Sequence, residues 1–270
     1  GAPSYNNLDI SLNSGVKDIK GLYSGFLAIF EDSVKPYSVN SNSYYSRNFN
    51  NIANDVSQNC VVYHTQYSLG FFRESDNKVF VCGHDQGGNL SNSTFFKGDS
   101  SDVVGNHQLN NVRKLYSNIG GFAVIKLDGS VQSWGQDQTF QHSNIETTYG
   151  GNLDSHVKKL FTNGYTWCAL KEDETIVTWE NNIDNLDSNH GSNFLYYESG
   201  INSTRFGGNG IGGARAGSYF ISNKLGFVKN VIPIDNAGFA ALIDNNGEEK
   251  LRVWGWDEIK TKTTTIEELD

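Results

Sequence analysis

The sequence predicts an all-β fold built from repeated short antiparallel units. Two 24-residue segments carry this prediction: Val112–Gly135, VRKLYSNIGGFAVIKLDGSVQSWG, and Val157–Glu180, VKKLFTNGYTWCALKEDETIVTWE. Each begins with valine, two basic residues, leucine and an aromatic residue, and each has a tryptophan 22 residues after the valine. The composition agrees, because 29 glycines against 3 prolines indicate many turns that depend on glycine. An internal repeat of this kind is the mark of a repeat architecture.

Each part of the repeated unit predicts a strand or a turn. The opening segment 112–116 alternates apolar and polar residues, and the apolar run Phe122–Ile125 has the length of a buried strand. Asp128-Gly129 is a strong signal for a tight hairpin, and Ser130–Trp134 follows it as a further strand. The unit therefore predicts two or three antiparallel strands, and it contains no helical period.

The template recurs along the chain with varying fidelity. Five repeat cores are predicted, in a single propeller-like domain spanning 1–270, at approximately 16–40, 60–83, 112–135, 157–180 and 228–257. The first two copies are the weakest, with Ser38 and Cys82 at the tryptophan position. The starts are 44, 52, 45 and 71 residues apart, and periods of about 40 to 50 with several short strands are typical of β-propeller blades. About five blades are expected. Six or seven are the alternatives, with a further unit inside 181–227 or in a larger propeller.

The repeat resembles that of the regulator-of-chromosome-condensation family. The shared pattern is a strand of small and aromatic residues, then Asp-Gly, then an aromatic residue and glycine, as in 122–135. The resemblance covers about residues 16 to 257 and implies a β-propeller, usually with seven blades. Relatives in that family include exchange factors for a small GTPase, parts of ubiquitin ligases and secreted inhibitory propellers. Shared folds carry different functions, so no functional residue is transferred.

Charge and cysteine content bound the function classes. The formal net charge is −9 and the pI is about 5.1. A nucleic-acid-binding face is normally basic, so nucleic acid is not expected as a partner. No apolar run of about 20 residues is present, so no membrane span is expected. Three cysteines, Cys60, Cys82 and Cys168, have no metal-ligand spacing, and we expect Cys60 and Cys82 to be buried apolar residues. The compartment is left open, with a secreted or host-directed location slightly favoured over a cytoplasmic one.

Binding residues are expected in the linkers between units. Tyrosine and tryptophan are enriched in recognition sites, and the glycine-rich stretch 207–217 has Arg205 and Arg215 at its ends. That stretch lacks the Gly-Lys-Ser/Thr sequence and the strand–loop–helix context of a phosphate-binding loop. The candidate binding residues are Tyr44, Tyr45, Tyr149, Tyr196, Tyr197, Arg205, Arg215 and Trp256.

The sequence therefore predicts a non-enzymatic, acidic protein–protein recognition platform without a cofactor or metal, which binds another protein through inter-repeat loops. The alternative is a carbohydrate- or surface-binding module, lectin-like or toxin-associated. A small-GTPase exchange factor is less favoured. No motif indicates catalytic residues.

Overall fold

The structure, a computed structural model, describes fourteen segments of the chain. These are residues 15–23, 25–38, 45, 49–57, 59–83, 108–119, 121–135, 153–163, 166–180, 195–196, 220–221, 227–234, 238–245 and 247–255. Within them, the strands form five antiparallel sheets that follow one another in chain order, and the only helical segment is a single 3-10 turn, Phe49–Asn51. The predicted all-β architecture of repeated propeller units is confirmed.

In each sheet, three consecutive strands pair in up-and-down order. The first sheet consists of β1 (Val16–Leu22), β2 (Gly25–Phe30) and β3 (Val34–Ser38). The second consists of β4 (Val61–His64), β5 (Ser68–Arg73), β6 (Lys78–Gly83) and β7 (Gln108–Leu109). The third consists of β8 (Val112–Ser117), β9 (Gly121–Lys126) and β10 (Val131–Gly135).

The fourth sheet and the fifth sheet each have an additional two-residue strand from the long segment between them. The fourth consists of β11 (Val157–Thr162), β12 (Thr166–Lys171), β13 (Ile176–Glu180) and β15 (Phe220–Ile221). The fifth consists of β16 (Phe227–Ile234), β17 (Gly238–Asn245), β18 (Glu248–Gly255) and β14 (Leu195–Tyr196). The described parts of 181–227 therefore extend two predicted units and do not form a sixth sheet.

An irregular register near the start of the unit explains its valine–leucine spacing. In the third sheet the pairing of β8 with β9 shifts between Val112 and Lys114, and the fourth sheet shifts between Val157 and Lys159. The first and fifth sheets have the same irregularity. Side chains in a regular strand alternate between faces, so an extra residue is needed to bring positions i and i+3 onto one face. Valine and leucine thereby point the same way.

Four apolar clusters join the five sheets in series. We call the side of each sheet that contacts the preceding sheet its front face, and the opposite side its back face. Between the third and fourth sheets, Ile125 and Val131 on the back face of one pack against Leu160 and Trp167 on the front face of the other. The three other junctions are built in the same way. Alternate residues of each central strand therefore belong to two different junctions.

Backbone hydrogen bonds accompany the apolar contacts at the junctions. The N–H of the first valine of a unit donates to a carbonyl in the hairpin turn of the preceding sheet. This occurs from Val112 to Asn77 at 2.9 Å, from Val157 to Gly129 at 3.0 Å and from Val228 to Glu174 at 3.0 Å. All three acceptor residues have positive φ, with values of 58°, 83° and 65°. Each turn thus fixes both its own hairpin and the position of the next sheet.

Aspartates stabilise two of these turns. The Asp128 carboxylate accepts hydrogen bonds from the Ser130 N–H at 2.8 Å and hydroxyl at 2.6 Å. Asp173 makes the same contacts with Thr175, at 3.1 and 2.7 Å. Partial burial opposes ionisation of Asp128, but the bonds from Ser130 outweigh it and lower its pKa. The hairpin predicted at Asp128-Gly129 is confirmed.

Candidate functional site

Tyr45 is a core residue, which corrects its prediction as a binding residue. Its side chain is fully buried in the junction between the first and second sheets. Its hydroxyl donates to the Gln66 carbonyl at 2.9 Å, and its own carbonyl accepts from the Cys82 thiol at 3.4 Å. A tyrosine in this setting stabilises the junction and presents no surface to a partner.

Of the other predicted binding residues, only Tyr196 lies within the described residues. Tyr196 lies in β14, where its backbone pairs with Trp254. The remaining six lie outside the described residues: Tyr44, Tyr149, Tyr197, Arg205, Arg215 and Trp256. Their joint role in binding therefore stays a prediction.

The linker around Tyr45 has apolar residues at a helical spacing, which the strand pattern of the repeated unit does not include. Tyr45, Phe49, Ile52 and Val56 are all buried in the first junction and are separated by four, three and four residues. That spacing is typical of a helical turn with one apolar side, and a 3-10 turn begins at Phe49. Leu109 and Leu153 have equivalent roles, since each lies three or four residues before a unit and is buried in the junction that precedes it.

Cys60 and Cys82 are buried, as the sequence predicts, and Cys168 is buried as well. Cys60 and Cys82 lie in the first junction, and Cys168 lies between the fourth and fifth sheets. Burial raises the pKa of the Cys82 and Cys168 thiols, so both remain neutral at physiological pH. Such thiols behave as small apolar side chains and lack the reactivity of a nucleophile.

The candidate functional site is the back face of the fifth sheet. Its apolar residues are Ile232, Leu242 and Leu251, which occupy the positions of Phe161, Leu170 and Ile176 in the fourth sheet. In the fourth sheet these positions are 8%, 4% and 0% exposed, because the fifth sheet covers them. In the fifth sheet Ile232 is 51% exposed, Leu251 is 45% exposed and Leu242 is half-buried. We call this surface the open back face.

A small charge cluster lies at the turn end of the open back face. The Lys229 ammonium contacts the Glu249 carboxylate at 3.1 Å and that of Asp244 at 3.2 Å. Its hydrogen bonds with Glu249 and then Asp244 raise the pKa of Lys229. The Gly247 N–H, donating at 2.7 Å, and then Lys229 lower the pKa of Asp244. Two carboxylates against one ammonium leave this margin with net negative charge at neutral pH.

The front face of the first sheet is uncovered in the same way. Ile19 occupies the position of Leu115, Leu160 and Val231, which are at most 2% exposed, yet Ile19 is 52% exposed. Beside it the rings of Phe26 and Tyr37 stack with centroids 4.9 Å apart, and both side chains are half-buried. We call this surface, which includes Val16 and Phe30, the open front face.

The described residues offer two further observations on possible chemistry. They contain no group of three or more His, Cys, Asp or Glu side chains arranged to hold a metal ion. They also contain no helix with the length and apolar character needed to cross a membrane.

Comparison with solved structures returns β-propellers. Yeast RCC1 (Prp20), solved bound to Kap60, is 11% identical with a TM-score of 0.49, over 94% of this chain and 70% of that chain. Prp20p from Saccharomyces cerevisiae, described with its binding properties to Gsp1p and histones, is 12% identical with a TM-score of 0.47, over 94% and 72%. Human WBSCR16 is 16% identical with a TM-score of 0.44, over 84% and 59%.

No protein-family model matches the chain, and no curated protein sequence matches it. The likeness to the solved structures therefore concerns the fold alone. The predicted resemblance is confirmed at that level: the chain is similar to divergent propellers of the regulator-of-chromosome-condensation type.

Proposed function

We propose that this protein is a non-enzymatic module that binds another protein through the uncovered faces of its terminal sheets, assisted by its inter-repeat loops. The observation that carries the proposal is the exposure of Ile232 and Leu251, at positions that the junction between the fourth and fifth sheets buries in the fourth sheet. Ile232 is 51% exposed and Leu251 is 45% exposed. Exposed apolar patches that are bordered by polar residues are typical of protein interaction sites.

The chemistry of the open back face favours a protein partner over a sugar. Its centre is aliphatic, with Ile232, Leu242 and Leu251, and its charged groups lie at one margin. Sugar-binding sites depend on aromatic stacking together with hydrogen-bonding groups, whereas an aliphatic sheet face is complementary to another apolar surface. The carbohydrate-binding alternative has no supporting observation among the described residues.

The proposal is tested by capturing partners from the protein's native extract with the immobilised chain. The wild-type chain is compared with the double variant Ile232→Glu/Leu251→Glu, which places two carboxylates in the centre of the open back face. Leu127→Glu is the matched control, because Leu127 is 54% exposed but lies in the hairpin turn of the third sheet. Captured proteins are identified by mass spectrometry, and the same three samples are applied to a glycan array.

We expect a stoichiometric protein that binds the wild-type chain and the Leu127→Glu variant but not the double variant. Burial of an unpaired carboxylate at an interface is strongly unfavourable, so binding through this face should be lost. A coherent set of bound glycans, with no protein whose capture depends on the open back face, would replace the proposal with the carbohydrate-binding alternative.

A further inference from the structure

We infer that the open back face of one copy of this chain is covered by the open front face of a second copy, giving head-to-tail self-association. This inference rests on the proposed function, because it names the partner that the open back face takes. One uncovered surface is a front face and the other is a back face. Each of the four junctions inside the chain joins a back face to a front face.

The internal junctions show what covers a back face. Between the fourth and fifth sheets, Phe161 and Leu170 on a back face pack against Val228, Val231 and Phe239 on a front face. The open back face has Ile232 and Leu242 at the first two positions. The open front face has Val16, Ile19 and Phe26 at the other three, as the strand registers show. A second copy therefore supplies the same set of apolar contacts.

Backbone conformations at the open ends resemble those at two of the internal junctions. The residue before the first valine has a φ of 59° at Asn111 and 60° at His156, and Gly15 before Val16 has 80°. The turn of the fifth sheet also contains a residue of positive φ, Gly247 with 89°. This hairpin is longer than those of the third and fourth sheets, because three pairs follow Leu242–Leu251, so the inferred interface rests on the apolar positions.

The turn of the fifth sheet and the start of the first sheet are both accessible. At Gly129 the backbone nitrogen of His156, from the next sheet, lies 2.9 Å from the place that a Cβ would occupy. At Gly247 and Gly15, no described atom beyond the adjacent residues lies within 4 Å of that place.

Head-to-tail pairing is a heterologous interface, which either closes into a ring of copies or continues as an open chain. The test therefore uses two variants that each disable one face. Ile19→Glu disables the open front face, and Ile232→Glu/Leu251→Glu disables the open back face. All three side chains are about half exposed in the free chain, so the substitutions are compatible with folding, which circular dichroism and a thermal melt verify.

Sedimentation velocity measures the assembly over a concentration series. We expect the wild-type chain and the Leu127→Glu control to form species larger than the monomer as concentration rises. Each disabled variant alone should lose every species above the monomer. A 1:1 mixture of the two variants has one intact front face and one intact back face, so it should form a heterodimer and nothing larger.

Three results would overturn the inference. The first is a wild-type chain that stays monomeric together with a mixture that does not associate. The second is a dimer that persists when only one face is disabled, because it would join two like faces. The third is a mixture that grows beyond a heterodimer. If the chain is monomeric but capture of a different protein still depends on Ile232 and Leu251, the inference fails and the proposed function stands.

Discussion

At the scale of single residues, the junctions depend on backbone conformations that most L-amino acids avoid. Asn77, Gly129 and Glu174 have positive φ in the turns, and Asn111 and His156 have positive φ before the first valines. Asparagine and histidine tolerate this region better than most residues, and glycine adopts it without steric cost. At Gly129 a backbone atom of the next sheet, the His156 nitrogen, also lies 2.9 Å from the place where a side chain would begin.

The first prediction compares alanine substitutions at two glycines. Gly129→Ala and Gly247→Ala both place a Cβ on a residue with positive φ, which costs about 1 to 2 kcal/mol. At Gly129 the new Cβ also meets the His156 nitrogen at 2.9 Å. We expect Gly129→Ala to lower the free energy of unfolding by roughly 1 to 3 kcal/mol more than Gly247→Ala, the cost of overpacking. Urea denaturation measures the free energy of unfolding of both variants. Equal losses would show that the junction at Gly129 rearranges around the new Cβ without a further loss of stability.

The burial of a side chain is predictable from the sequence when its residue type suits one environment. It is not predictable when the residue type suits both the core and the surface. Cys60 and Cys82 were predicted as buried because they replace apolar residues in a repeat, and both are buried. Tyr45 was predicted on the surface because it lies in a linker, but the linker folds back into the first junction. Tyrosine suits both places, since it has an apolar ring and a polar hydroxyl, so its type alone does not decide between them.

At the scale of elements, the alternating pattern of each unit fixes which sheet face meets which neighbour. In β9, Phe122 and Val124 pack towards the second sheet, whereas Ala123 and Ile125 pack towards the fourth. The strands were predictable because this pattern and the turn residues lie within 24 residues. The linkers were not predictable, because their packing depends on contacts with two sheets that are distant in the sequence.

The second prediction compares the same repeat position in a covered sheet and in an uncovered one. Leu160 is 2% exposed in the junction between the third and fourth sheets, and Ile19, at the equivalent position of the first sheet, is 52% exposed. We expect Leu160→Ala to lower the free energy of unfolding by about 2 to 5 kcal/mol, because it leaves a cavity in the core. Ile19→Ala should cost roughly 0.5 kcal/mol or less.

Urea denaturation of dilute protein, below the concentration at which it associates, measures the two losses. A loss for Ile19→Ala as large as that for Leu160→Ala would mean that another part of the same chain covers the open front face. That result would contradict the description of the open front face as uncovered.

At the scale of the whole molecule, the sheets form a series in which each contacts its neighbours through one apolar cluster per junction. The sequence predicted the repeated units, because each unit carries its own pattern. It did not predict the open faces, because Ile232 and Leu251 have the same apolar character as the buried Phe161 and Ile176. Whether such a residue is covered depends on the presence of a neighbouring sheet, which no local pattern encodes.

The third prediction follows from the series of sheets and concerns amide hydrogen exchange. The stability of a repeat protein is approximately a sum of unit and nearest-neighbour terms, so a unit with two neighbours opens less often than a unit with one. In dilute protein we expect β9 of the third sheet to exchange at least about tenfold more slowly than β2 and β17, a difference of about 1.4 kcal/mol in opening free energy. Raising the concentration should slow exchange in β2 and β17 and leave β9 unchanged, because head-to-tail association gives each terminal sheet its second neighbour. Uniform exchange in all three strands at both concentrations would contradict the serial architecture, since the sheets would then open as one cooperative unit.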